Sequence, residues 1–148
     1  MSDDIKRIGV IGAGQMGGGI AHVCAASGYD VYLIDQTDEA ASKGLQKLTR
    51  NMDRDVARGR ITEDIRNGAL KRITTGSSYD GFKDCDLVIE AASEDEDVKK
   101  AILKTLCENV KDSTLIATNT SSISITRLAA QTDRPGQVCG MHFMNPVP

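Results

Sequence analysis

Glycines at positions 12, 14 and 17 constrain this chain more than any other feature. They stand between an apolar run, Ile8-Gly9-Val10-Ile11, and residues able to continue as a helix. The run suits a buried parallel strand. The glycine spacing is G-x-G-x-x-G, and each glycine has its own physical task. Gly12 permits a sharp turn out of the strand. Gly14 lacks the Cβ that would hold a pyrophosphate away from the backbone, and Gly17 lets the new helix pack tightly on the sheet. The helix start then aims free N–H groups and the positive end of its dipole at the phosphates. Gln15 and Met16, between the second and third glycines, belong to the same candidate loop.

The loop is answered by an acid. Asp35 closes the next apolar run, Val31-Tyr32-Leu33-Ile34, about 20 residues on, as a dinucleotide fingerprint requires. A carboxylate there can accept hydrogen bonds from the adenosine ribose hydroxyls and repels a 2′-phosphate, which selects NAD over NADP. The competing structural use is capping, since Asp35 and Thr37 precede the next helix.

The chain has 148 residues, enough for one domain with a substantial core. Its 18 basic and 21 acidic side chains give a net charge of −3, which gives no support to a nucleic-acid partner. Aromatic residues make up 3%, too few for a base-stacking surface. Cys24, Cys85, Cys107 and Cys139 show no C-x-x-C pairing, so no metal site is assigned. Buried thiols in a reducing compartment are the expectation. The acidic, polar start Met-Ser-Asp-Asp is unlike a targeting peptide, and no apolar run approaches a membrane span. These features lead us to expect a soluble cytoplasmic protein.

Strand and helix patterns alternate along the chain. Strands are predicted at Ile8–Ile11, Asp30–Ile34, Arg72–Thr75, Leu87–Glu90, Thr114–Ala117 and Gln137–Met141. A helix runs from about Gln15 to Ser27, with Gly28 as its stop. A long one follows Thr37, its apolar face carrying Ala41, Leu45, Leu48, Met52 and Val56. Lys43, Lys47, Arg50, Arg54 and Arg58 form a basic stripe opposite, which we read as the wet side of the helix. A shorter helix starts at Thr62-Glu63-Asp64, completing a helix pair between strands two and three. Gly76–Asp84 is read as loop. Ser93-Glu94-Asp95-Glu96 has the form of a capping box for the next helix. The alternation implies an α/β, doubly wound parallel sheet with helices on both faces, ordered 3-2-1-4-5-6.

In such sheets ligands gather outside the carboxyl ends of the strands. Asp35 follows strand two there, Glu90 and Glu94 follow strand four, Asn119 and Ser121 follow strand five, and His142 and Asn145 follow strand six. A base and several hydrogen-bonding groups at one sheet edge suit redox chemistry on an alcohol. This reading requires His142 to stand at the edge that carries the glycine corner. His22, in mid-helix, is read as structural.

GAGQMGGGIA, VIEAASEDEDVKKAIL, NTSSISIT and GMHFMNPVP resemble the L-3-hydroxyacyl-CoA dehydrogenase family, its 3-hydroxybutyryl-CoA branch included. The resemblance covers essentially the whole chain, and its last two motifs are more specific than the glycine loop. It implies a Rossmann-type NAD-binding domain serving the oxidation of 3-hydroxyacyl-CoA by NAD⁺, or the reverse reduction. It also implies that His142 is the general base, with Ser121 bonding the substrate oxygen and Asn145 helping to hold substrate and cofactor. Imidazole suits a group that must take and return a proton near neutrality. Asn119 and Glu94 match positions near the nicotinamide-ribose half, Lys99 matches a cofactor contact, and Gln36 faces the adenosine side. The basic stripe matches a helix near the coenzyme A arm, so contact with its phosphates is the alternative to a wet face.

Structural uses compete at several of these positions. Ser121 and Ser122 are plausible helix caps, Glu94 fits the capping box, and Lys99 fits a solvated helix face. In the family the pattern continues past the final NPVP into a helical domain. That domain supplies the glutamate that orients the histidine, much of the acyl-CoA cleft and the dimer interface. We therefore expect residues 1–148 to keep NAD binding and to turn over weakly or not at all alone, with a homodimer forming only when that domain is present. Two other readings stay open: a non-catalytic NAD-binding module, and the first domain of a 6-phosphogluconate-type or sugar-acid dehydrogenase.

Overall fold

The backbone alternates between two faces of one parallel sheet. The computed structural model describes residues 5–144 and Val147. The strands are β1 (Arg7–Ile11), β2 (Asp30–Ile34), β3 (Ile73–Gly76), β4 (Leu87–Glu90), β5 (Leu115–Thr118) and β6 (Val138–Gly140). They lie in the order β3-β2-β1-β4-β5-β6, all pairs parallel. The helices are α1 (Gln15–Ala26), α2 (Asp38–Ala57), α3 (Glu63–Arg72), α4 (Glu96–Cys107) and α5 (Ile125–Ala129). The sheet order and the strand–helix alternation are as the sequence implies.

Period-two alternation along the strands builds a core on each face. Ile8, Val10, Val31, Leu33, Leu87 and Ile89 pack with Ile20, Ala21 and Ala25 of α1 and with Leu48 and Met52 of α2. Their neighbours Ile11, Ile34, Val88 and Ile116 pack with Leu103 and Leu106 of α4 and Leu128 of α5. The predicted apolar face of α2 is present, with Ala41, Leu48 and Met52 buried. Gly44 joins that face: a Cβ there would stand 2.6 Å from Ala13 O, so its absence lets α2 lie against the glycine loop. Thr37 caps α2 by accepting from Ala40 N–H, which frees Asp35 from that task.

Several boundaries differ from the sequence reading. The predicted loop 76–84 contains a 3-10 turn, Tyr79–Asp84, which buries Phe82 against Tyr32 and Tyr79. The capping box does not form. Asp95, not Ser93, caps α4 by accepting from Val98 N–H at 3.0 Å, so the helix starts at Glu96. Two capping residues competed within one turn, and the nearer won. β6 is shorter than predicted, and α5 is capped by Ser124 rather than by Ser121 or Ser122. Cys139 is exposed, against the expectation of buried thiols, while Cys24 and Cys85 are buried. Burial pushes both buried thiols up to about 11, which keeps them protonated and unreactive.

Candidate active site

The turn out of β1 is built from backbone first. Gly12 takes φ +101°, a left-handed conformation that favours glycine. Gly17 meets its own loop: a Cβ there would stand 1.5 Å from Gly12 O. Its need for a missing side chain arises within the turn, a closer constraint than the packing of helix on sheet expected from the motif. Gly14 has nothing within 4 Å of where its Cβ would be, which leaves open space at the helix start. That space is what a pyrophosphate needs in order to approach backbone N–H groups.

Asp35 ties this turn to β2. Its Oδ2 accepts from Ala13 N–H at 2.9 Å and its Oδ1 from Gln36 N–H at 2.7 Å. The acid at the end of β2 thus braces the glycine loop from the neighbouring strand. Beside it lies a groove of about 710 Å³ lined by Gly12, Gly14, Asp35, Gln36, Tyr79 and Ile102, among others. Its walls mix one carboxylate with apolar side chains, as an adenosine requires.

Ala91 and Ala92 border that groove and also a second one, of about 390 Å³. Met16, Glu94, Lys99, Asn119, Ser121 and His142 line the second groove. The glycine loop and His142 therefore share one sheet edge, as the reading required. The two grooves meet at Ala91 and Ala92, with Gly14 lining the first and Met16 of the same glycine loop lining the second. Asn145 lies outside the described residues.

Hydrogen bonds fix this second groove. Asn119 Oδ1 accepts from Phe143 N–H at 2.7 Å, which holds the segment beside His142. Glu94 Oε2 accepts from Ser122 Oγ at 2.7 Å, Thr120 Oγ1 at 3.0 Å and Ser121 N–H at 3.4 Å. Burial works to raise the Glu94 carboxyl. The Ser122, Thr120 and Ser121 hydrogen bonds and the charge of Lys99 outweigh it and bring it down to about 2. Glu94 is therefore a loop anchor facing the groove, not part of a capping box.

Lys99 is not solvated. It is 1% exposed, and its Nζ bonds Glu90 Oε2 at 2.8 Å and Oε1 at 2.9 Å. Sequence reasoning placed Glu90 at this edge but assigned it no role, and it did not single out Thr118 or Thr120. Alternation along β4 could have flagged Glu90, since it stands on the face that Val88 buries. His22 is buried with Nδ1 unpartnered, and burial lowers its proton affinity, in keeping with a structural position.

A third groove, of about 490 Å³, lies between the glycine loop and α2. Gly14, Gln15, Lys47, Arg54 and Arg58 line it with Val147. Part of the basic stripe therefore faces a concavity rather than open solvent alone. Gly19 makes room for Val147, since a Cβ there would come within 2.6 Å of it. No helix among the described residues is long and apolar enough to cross a membrane.

Comparison with known proteins agrees with this arrangement. The chain is 50% identical, over its whole length, to 3-hydroxybutyryl-CoA dehydrogenase of Bradyrhizobium diazoefficiens, and covers 50% of that protein. It is 41% identical over its whole length to 3-hydroxyadipyl-CoA dehydrogenase of Escherichia coli, covering 31% of it. The crystal structure of (S)-3-hydroxybutyryl-CoA dehydrogenase from Ralstonia eutropha superimposes with a TM-score of 0.95 at 46% identity, over 97% of this chain and 51% of that one. The chain spans about half the length of several 3-hydroxybutyryl-CoA dehydrogenases it matches. Residues 7–148 match the family described as 3-hydroxyacyl-CoA dehydrogenase, NAD binding domain, and the chain belongs to that family.

Proposed function

We propose that this chain is the cofactor-binding half of an NAD-dependent dehydrogenase that interconverts L-3-hydroxyacyl-CoA, 3-hydroxybutyryl-CoA in particular, and 3-ketoacyl-CoA. The observation that carries the reading is the single groove shared by Met16 of the glycine loop and by Ser121, Asn119 and His142. Gly12, Gly14, Gln15, Met16 and Gly17 would hold the pyrophosphate. Asp35 and Gln36 would take the adenosine ribose, and Glu94, Lys99 and Asn119 the nicotinamide half. NAD held by these residues would supply the hydride acceptor, or in reverse the donor, for C3 of the substrate. His142 in its neutral form takes the 3-hydroxyl proton, and Ser121 donates a hydrogen bond to the same oxygen as charge develops on it. Asn145 holds substrate and cofactor in register.

The coenzyme A arm is assigned to the groove beside α2, where Lys47, Arg54 and Arg58 can meet its phosphates. Efficient turnover and dimer formation are assigned to a further helical domain of the family's kind. That domain would supply a carboxylate to orient His142. Free thiols at Cys24, Cys85, Cys107 and Cys139 support a reducing, cytoplasmic setting. The relatives' names support 3-hydroxybutyryl-CoA as substrate.

Calorimetric titration of the chain with NAD⁺, NADP⁺ and acetoacetyl-CoA, together with NADH oxidation by acetoacetyl-CoA, tests this. NAD⁺ should bind at least ~10-fold more tightly than NADP⁺. Any turnover should disappear in His142→Ala. Lys47→Glu/Arg58→Glu should weaken acetoacetyl-CoA and leave NAD⁺ unchanged. Preference for NADP⁺ would refute the cofactor assignment. Turnover near that of the complete relatives would refute the need for a second domain.

A further inference from the structure

An ion pair with almost no exposure lies under the groove that holds Ser121 and His142. Glu90 is 0% exposed and Lys99 is 1% exposed. Burying two charges is costly, and an apolar pair of similar volume would serve stability as well or better. Elsewhere α4 does this, burying Leu103 and Leu106. Along this helix the buried charge stands where α4 meets the end of β4, at the point where the sheet edge becomes the groove. Stability does not explain the pair; position does.

All three oxygens of Glu90 are engaged at that edge. Oε1 accepts from Thr118 Oγ1 at 2.7 Å and from Lys99 Nζ at 2.9 Å. Oε2 accepts from Ala92 N–H at 2.7 Å and from Lys99 Nζ at 2.8 Å. Its backbone carbonyl accepts from Asn119 N–H at 2.9 Å. Lys99 Nζ donates also to Ala92 O at 3.3 Å and stands 3.5 Å from Glu94 Oε1. Glu94 in turn holds Thr120, Ser121 N–H and Ser122. The Glu90 carboxylate thus joins the end of β4 to α4 and to the end of β5, and its backbone carbonyl reaches the loop after β5.

We propose that Glu90 is a positioning residue for the nicotinamide half of the cofactor. It anchors Lys99 and, through Lys99 and Glu94, sets the loop that carries Asn119 and Ser121. The proposal rests on reading this groove as the nicotinamide half. It names a group that touches neither cofactor nor substrate and acts by holding those that do.

The test is calorimetric titration of the chain with NAD⁺ and with ADP, which lacks the ribose–nicotinamide half, for the wild type, Glu90→Gln and Glu90→Gln/Lys99→Met. Glu90→Gln should weaken NAD⁺ by ~10-fold or more while ADP stays within about 2-fold, because Glu90 meets the groove by Asp35 only at its Ala92 rim and the hydrogen bonds of Asp35 to Ala13 and Gln36 are left in place. The double variant, free of an unpaired buried charge, should fold and show the same split. Equal weakening of both ligands would make Glu90 merely structural and overturn the proposal, as would wild-type NAD⁺ affinity in Glu90→Gln. Failure of both variants to fold would assign the pair to stability and overturn it too. If wild type binds ADP and NAD⁺ equally, the reading of the groove itself falls, and that outcome is seen without any variant.

Discussion

The side-chain oxygen of Asn119 accepts a hydrogen bond from the backbone N–H of Phe143 at 2.7 Å. A residue from the loop after β5 thereby sets the main chain one residue past His142, at the open end of the sheet. Because β5 and β6 are neighbouring parallel strands, both segments leave the sheet on the same side. Asn119→Ala removes the acceptor and should cost about 1 kcal/mol in urea unfolding. Asn119→Asp keeps an acceptor and should unfold close to wild type. Equal loss in both would show that this bond does not hold the segment.

The three motif glycines should separate in their effects. Gly17→Ala places a Cβ on the Gly12 carbonyl, with no flexible side chain to give way. It should destabilise the chain by about 3 kcal/mol in a denaturation curve. Gly14→Ala meets nothing within 4 Å and should keep the wild-type melting temperature. Yet it should lose NAD⁺ binding in calorimetry, since the new methyl fills the space a pyrophosphate requires. A stable Gly14→Ala that binds NAD⁺ normally would remove that loop from the cofactor site.

Asp35 has two duties that one substitution cannot separate and two can. Asp35→Ala removes both the brace on Ala13 N–H and the negative charge. Asp35→Asn keeps an oxygen for Ala13 N–H while removing the charge. Both should narrow the gap between NAD⁺ and NADP⁺ affinity, but only Asp35→Ala should also lower thermal stability. Unchanged selectivity in both would locate the discrimination elsewhere.

Acid should loosen the edge that Glu94 organises. Against opposition from burial, its partners bring the Glu94 carboxyl from an ordinary 4.5 to about 2. Burial also opposes at Asp86, where hydrogen bonds from Lys111 and from the Lys6 and Arg7 N–H groups, with the Lys111 charge, bring the carboxyl from 3.8 to about 2. A carboxyl lowered on folding contributes stability that is fully present above its unfolded value and is lost as pH falls through the folded one. Melting temperature should therefore hold above pH ~5 and fall between about pH 4.5 and pH 2. Glu94→Gln and Asp86→Asn should each flatten that fall. A profile unchanged in both variants would contradict the pairing.

Much of the architecture could be read from residues close together in the chain. Gly12, Gly28 and Gly59 all take positive φ, and the latter two mark the ends of α1 and α2. The limits of β2 and β4 were legible because apolar runs ended at Asp35 and at the turn after Glu90. Capping was less so. Ser93 and Glu96 satisfy the spacing of a capping box, but Asp95 competes two residues later and its geometry prevails. Local rules propose several helix starts and do not rank them.

Strand order, helix placement and the turn at Gly12 follow from periodicity and backbone sterics, which act over a few residues and are written in the order of the chain. The fate of Lys99 is of another kind. A lysine on a helix reads as solvated because its charge prefers water. Only when β4 delivers Glu90 and β5 delivers Thr118 to the same spot does burial become tolerable. Glu94 likewise leaves a helix start for Thr120 and Ser122, 26 and 28 residues on. Charge pairing is decided by groups distant in sequence, so the sheet had to be assembled before the site's supports existed.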